Sequence, residues 1–195
     1  MRIGLPLTLL RIRDEHQAAV VEMGISDFGE MHRLAKMARP DICVMTNIGL
    51  CHLENLKSRD GILKAKSEIF DFLKPDGKII LNGNDDKLST IQEVKGIRPI
   101  RYFVEDGTAP AGDEEYFVTA SDIKNLGLKG MDAVFHFPEE TRKVHIPIPG
   151  AHNIYNALAG ACVGRALGLD NDEIIAGIQA AKQSGEGLTC WKSAE

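Results

Sequence analysis

The chain has 195 residues, 44% hydrophobic and 26% charged, enough to bury a full core as one domain with at most a small appendage. Its formal charge of -5 argues against nonspecific nucleic-acid binding, which needs basic surface to neutralise phosphates, and favours a small-molecule or protein partner. No apolar run approaches the ~18 residues of a membrane span and no cleavable leader is evident; Cys43, Cys51, Cys162 and Cys190 form no CxxC pair and read as buried thiols of a reducing compartment, so a cytoplasmic location is expected.

In chain order, LPLTLLRI with Pro6 in its first turn predicts a short helix. QAAVVEMG, nearly all apolar before Glu-Met-Gly, predicts a strand buried on both faces of a parallel sheet. Residues 29 to 38 have helical spacing and stop before Arg39-Pro40, because the residue before proline is pushed out of the α region. DICVMTN predicts a second buried strand. Residues 58 to 73 predict a helix with Ser58 or Asp60 as N-cap, ended by Lys74-Pro75-Asp76-Gly77. KIILN and PIRYFV follow as third and fourth strands. This alternation implies an α/β fold: a mostly parallel sheet flanked by helices, with right-handed crossovers. From about residue 114 to 148 the pattern changes to EEYFVTASDI, DAVFHFP and KVHIPIP, with turn residues Asn125, Gly127, Gly130 and Glu139, which predicts an antiparallel β extension. Two helical patterns, INALAGACVGRALG and NDEIIAGIQAAK, meet at Leu169-Asp170. Residues 184–195 (SGEGLTCWKSAE) have no period and read as a linker or a truncated end.

Glu22, Asn47 and His52 stand just past the carboxyl ends of predicted strands, where open α/β sheets bind ligands. Magnesium takes about six oxygen ligands and prefers one or two carboxylates with phosphates and water. Glu22 fits that need, although a helix cap or a surface ion pair would also use it. His52 is held near the same edge by a glycine-containing loop; a lone histidine is otherwise an ordinary core or surface residue. Lys64 and Lys66 lie on a helix whose other face (Ile62, Leu63, Ile69, Phe70, Leu73) is apolar. Both are solvated lysines by default, but partial burial favours the neutral amine, which can react with carbon dioxide to give an anionic carbamate able to bind metal. In PGAHNIYNALAG, Asn153 either caps the helix or joins Asn156 on one face to pair with an adenine edge, with Tyr155 or His152 nearby. No G-x-x-x-x-G-K-[ST] occurs, so the loop that would cradle β and γ phosphates is absent, and a magnesium site alone cannot run phosphoryl transfer.

VVEMGISDFGE, RPDICVMTNIGLCHLE, LKAKSEIF, LNGND and IPGAHNIYNALA, in this order and at these separations, resemble the central ATPase domain of the Mur ligases. The resemblance covers roughly residues 2 to 183, so the expected organisation is 1–183 as an incomplete central domain, P-loop-NTPase-like but without its phosphate loop, and 184–195 as linker or truncated end. IGLPLTLL, the EMG and GE string and KSEIF point within the family to the member that adds D-Ala-D-Ala to UDP-N-acetylmuramoyl tripeptide. The resemblance implies an ATP-dependent ligase working through an acyl phosphate. It implies ATP and Mg2+ as cofactors, and the UDP-muramoyl tripeptide and D-Ala-D-Ala as partners bound through domains this sequence lacks. It also implies that Glu22 and His52 bind magnesium, that Lys66 is carbamylated and helps hold the second metal, that Asn47 lies near phosphates and metals, and that Asn153 and Asn156 face adenine. Another amide ligase of the superfamily, folylpolyglutamate or cyanophycin synthetase-like, remains open, as does a non-catalytic binding module of the same fold. The expected behaviour of the fragment alone is no ligation and weak or absent ATP binding.

Overall fold

The computed structural model describes residues 4–50, 53–105, 118–182 and 190–191. In chain order the elements are α1 (Gly4–Leu9), β1 (Ala18–Ala19), α2 (Glu30–Ala38), β2 (Ile42–Met45), α3 (Leu53–Leu56), α4 (Arg59–Ser67), β3 (Lys78–Asn82), β4 (Ile100–Val104), β5 (Val118–Asn125), β6 (Met131–His136), β7 (Thr141–Ile146), α5 (His152–Ala166), α6 (Asn171–Gln179) and β8 (Cys190–Trp191). The chain forms two compact units, one of Met1–Asp41, Gly49–Pro75 and Ser184–Glu195, the other of Ile42–Ile48 and Asp76–Gln183.

The second unit carries a six-stranded sheet in the order β2-β3-β4-β5-β6-β7. The first four strands run parallel and the last two antiparallel, which is the mostly parallel sheet with an antiparallel extension that the alternation implies. β5 is shared: expected to be purely antiparallel, it pairs parallel with β4 and antiparallel with β6, so the extension continues the main sheet. The burial patterns follow the sequence textures. In β3 Ile79 to Asn82 are all buried, as in a strand covered on both faces, whereas β6 alternates buried and half-buried residues. The hairpin between β5 and β6 turns where the sequence has its turn residues: Gly127 and Gly130 take positive φ, and Asn125 Oδ1 accepts from Gly127 N at 2.8 Å. EEYF of the same predicted strand lies outside the described residues.

α5 packs on β3, β4 and β5 and buries Ile154, Leu158, Ala161 and Cys162 in a core with Ile80, Tyr102, Val118 and Phe135. Gly164 lets α6 come close, since a Cβ there would lie 2.7 Å from Ile174 Cγ1. Asp170 and Glu173 form a reciprocal capping box at the start of α6. Burial pushes the thiols of Cys43 and Cys162 up to about 12, so both are inert core groups, as expected of them. Cys51 and the Cys190 side chain lie outside the description.

In the first unit α2 and α4 form as predicted, and Ser58 is the N-cap of α4, accepting from Gly61 N at 3.0 Å. The predicted helix over 58–73 tightens at Glu68 into a 3-10 segment, Glu68–Phe72, and a short α3 precedes it. The run QAAVVEMG departs from expectation. It forms only the two-residue β1, paired antiparallel with β8; Ala19 is exposed and Val20 is 62% exposed. An apolar run states a preference for burial, but a strand buried on both faces needs long partners. Two ladder pairs do not make one. The same pairing gives residues 190–191, read as linker, a place in a ladder.

Candidate functional site

Asn47 lies two residues beyond β2, exposed at the carboxyl end of the parallel strands, the edge at which such sheets bind ligands. Its neighbours are held by the loop that follows β3. Asn82, 7% exposed, donates through Nδ2 to Thr46 O at 2.9 Å, and Asp85 Oδ2 accepts from Ile48 N at 2.8 Å. Asp85 Oδ1 also accepts from Lys87 N and Leu88 N, at 3.0 and 2.9 Å. Asn84 reaches the other way, donating to Val104 O at 2.9 Å and accepting from Val104 N at 2.8 Å. Gly83 fits between because it has no side chain; a Cβ there would lie 2.1 Å from the Phe103 ring. The string Asn82-Gly83-Asn84-Asp85 therefore ties the carboxyl ends of β2, β3 and β4 together. The sequence alone assigns LNGND no structural role beyond its part in the resemblance, although three polar turn formers and a glycine after a buried strand are the signal that could have found it.

Asn153 and Asn156 share one face of the first turns of α5: Asn156 Nδ2 donates to Asn153 Oδ1 at 3.1 Å. The capping alternative for Asn153 fails, because Ala151 is the N-cap and no side chain caps the helix. Instead Asn153 Nδ2 donates to Pro149 O at 2.8 Å and lies 3.2 Å from His152 Nε2. Asn153 is thus a half-buried strut, and Asn156 is the exposed amide of the pair. Under this helix, on β4, the fully buried Tyr102 hydroxyl has no hydrogen-bond partner among the described residues. Burial raises the pKa of this phenol well above its ordinary value, with smaller contributions from the nearby Cys162, Asp85 and Tyr155.

In the first unit Glu22 is exposed, Lys64 is exposed and Lys66 is half-buried on α4. Partial burial thus falls on Lys66 and not on Lys64. His52 lies outside the described residues. Among those described, no three of His, Cys, Asp and Glu converge as a ready-made metal cage, so a cation here would need His52, a carbamate or a ligand phosphate to complete its shell. Two residues past Lys66, Glu68 performs a task that periodicity could not reveal. Both its carboxylate oxygens accept from Gly29 N at 2.9 Å and Oε2 accepts from His32 N at 3.1 Å. The N-cap of α2 is a glycine with no side chain to offer, and Glu68 supplies the missing acceptor from 39 residues away. The segment after Glu22 is held again where Asn55 Nδ2 donates to Ser26 O at 3.0 Å.

Parallel strands with polar side chains gathered beyond their carboxyl ends define an α/β domain of the ligand-binding kind. The family model for the Mur ligase middle domain matches residues 1–164, and the chain belongs to that family. It is 34% identical over 180 residues to the UDP-N-acetylmuramoyl-tripeptide–D-alanyl-D-alanine ligase of Escherichia coli, covering 92% of this chain and 38% of that enzyme. Among solved structures, MurF from Acinetobacter baumannii superposes with a TM-score of 0.82 at 32% identity, covering 94% of this chain and 38% of that one. MurF from Thermotoga maritima, in complex with ADP, gives 0.75 at 25% identity over 93% of this chain and 40% of that one. The chain therefore spans well under half the length of the proteins it matches.

Proposed function

We propose that this chain is the nucleotide- and magnesium-handling part of an ATP-dependent ligase that joins D-Ala-D-Ala to UDP-N-acetylmuramoyl tripeptide in peptidoglycan synthesis. The reading is carried by the identity to the Escherichia coli enzyme across 92% of this chain, and the Thermotoga maritima structure with ADP supports a nucleotide at this domain. The γ-phosphoryl group passes from ATP to the terminal carboxylate of the tripeptide. The amine of D-Ala-D-Ala then attacks the acyl carbon, and phosphate leaves as the amide forms. Contacts to the tripeptide and to D-Ala-D-Ala are assigned to portions of the enzyme outside this span. Among the described residues no helix is long and apolar enough to cross a membrane, in keeping with a reaction on water-soluble UDP-linked precursors in the cytoplasm.

In this reading Glu22, His52 and a carbamate on Lys66 would hold magnesium. The donor set fits a hard cation that takes carboxylate oxygens and retains water. A magnesium ion held by these residues would supply positive charge against the phosphoryl oxygens of the transferring group. Asn47 orients groups at the strand ends, and its exposed amide offers a donor to a phosphate oxygen. Asn156, braced by Asn153, presents an amide whose donor and acceptor match the N6 and N7 edge of adenine. The test is ADP release by the complete ligase containing this segment, supplied with UDP-muramoyl tripeptide and D-Ala-D-Ala. Glu22→Ala and Lys66→Ala are each expected to lower turnover by about 100-fold or more. Turnover with a folate and glutamate instead, or unchanged turnover in both variants, would overturn the reading.

A further inference from the structure

We infer that Asn82 and Asp85 are positioning residues for Asn47, gripping the backbone on either side of it and fixing where its amide stands at the strand ends. The inference rests on the reading above, in which Asn47 works at the nucleotide, and adds to it a function for the loop that follows β3. Asn47 is exposed and lies outside any regular element, so β2 alone does not fix its orientation. The two flanking peptides are fixed instead by side chains. On one side the Thr46 carbonyl accepts from Asn82 Nδ2 at 2.9 Å; on the other the Ile48 N–H donates to Asp85 Oδ2 at 2.8 Å. Both grips come from a loop that is itself anchored: Asn82 Oδ1 accepts from Asn84 N at 3.0 Å, Asn84 is bonded twice to Val104, and Asp85 Oδ1 holds Lys87 N and Leu88 N. Ile48 is 2% exposed, so its N–H bond to a carboxylate is sheltered from competing water and correspondingly strong. An amide held this way is pre-organised for a phosphate oxygen. A loosely held one would first have to be ordered, and small misplacements at a reacting centre cost large factors in rate.

Isosteric substitutions separate the grips from the loop's own structure. In Asp85→Asn the remaining oxygen can keep the Lys87 and Leu88 N–H groups only by turning the new NH2 toward the Ile48 N–H, donor against donor. In Asn82→Asp the acceptor for Asn84 N is retained while an oxygen faces the Thr46 carbonyl. In the complete ligase, Asn47→Ala is expected to lower kcat about 100-fold, and Asp85→Asn and Asn82→Asp each about tenfold or more, with KM for the tripeptide unchanged. The decisive comparison is Asp85→Asn combined with Asn47→Ala, expected to be no slower than Asn47→Ala alone, because a clamp has nothing to position once the amide is gone. In the isolated chain Asp85→Asn should speed hydrogen exchange at the Ile48 amide at least about tenfold while leaving Lys87 and Leu88 protected. Should Asp85→Asn fail to fold, Asn82→Asp carries the same cycle. If Asn47→Ala slows the enzyme but the second substitution slows it further by its full single-variant factor, Asp85 merely stabilises the fold and the inference falls while the functional reading stands. If Asn47→Ala leaves turnover unchanged, the role assigned to Asn47 falls and the clamp with it.

Discussion

Replacing Glu68 by alanine isolates a cap that α2 cannot make for itself. A helix start leaves N–H groups without intrahelical partners, and in α2 the position that ordinarily supplies an acceptor is Gly29. Glu68 answers by accepting from two N–H groups, Gly29 N shared between both oxygens at 2.9 Å and His32 N at 3.1 Å. Losing an ordinary side-chain cap costs about 1 kcal/mol, whereas hydrogen bonds to a charged group contribute roughly 1.5–3 kcal/mol. The Gly29 contact is partly buried and the His32 contact exposed, which puts the expected loss at about 2 kcal/mol, or roughly 4–8 °C in Tm for a chain of this size. Glu68→Gln keeps one good acceptor and should cost about half as much. Urea titration followed by far-ultraviolet circular dichroism measures the loss, and amide exchange at Gly29 and His32 assigns it to the cap. A change below about 0.5 kcal/mol, or unchanged protection of those two amides in Glu68→Ala, would refute the cap.

Three further outcomes follow from the second unit. Tyr102→Phe should raise stability by about 1 kcal/mol, because a fully buried hydroxyl without a partner carries its desolvation cost uncompensated; a loss of stability in the urea midpoint would mean the hydroxyl is bonded after all. Gly83→Ala should destabilise by about 2 kcal/mol through overpacking against the Phe103 ring, and adding Phe103→Leu should recover part of that. Alkaline pH should weaken the fold through Cys43 and Cys162, whose thiols are raised from 9.0 to about 12. Their contribution is whole below pH 9. As pH rises above 9 the unfolded chain releases these protons while the folded chain retains them, so each thiol removes about 1.4 kcal/mol per pH unit up to about 12. Urea midpoints between pH 8 and 11 should fall less steeply in Cys162→Ala, and equal slopes would show that the thiol is not raised.

Most of the second unit was legible in the sequence because its elements carry their own periodicity. KIILN reads as the third strand and DAVFHFP as an alternating antiparallel strand, and both form, β3 with Ile79 to Asn82 all buried and β6 with buried and half-buried residues alternating. Asn125, Gly127 and Gly130 name their own turn. Helix ends were legible where the cap is local, as at Ser58, and illegible where it is distant, as at Glu68. Hydrogen bonds spanning 36 to 39 residues have no local pattern, so the partners of Gly29, Thr46 and Ile48 are visible only in the folded chain.

QAAVVEMG shows where apolar composition and realised burial part. Its composition is that of an interior strand, yet Val20 is 62% exposed and the ladder stops after two pairs. Hydrophobic patterning reports what a segment would gain from burial; pairing partners decide whether that gain is realised. The same distinction governs the candidate site. Residue type and place after a strand were enough to nominate Asn47, since chemistry and sheet edge are both local properties. What makes its amide usable is the fixed orientation of the peptides around it, and that comes from Asn82 and Asp85, whose reach across to the neighbouring strand end is set by the parallel register of β2 on β3.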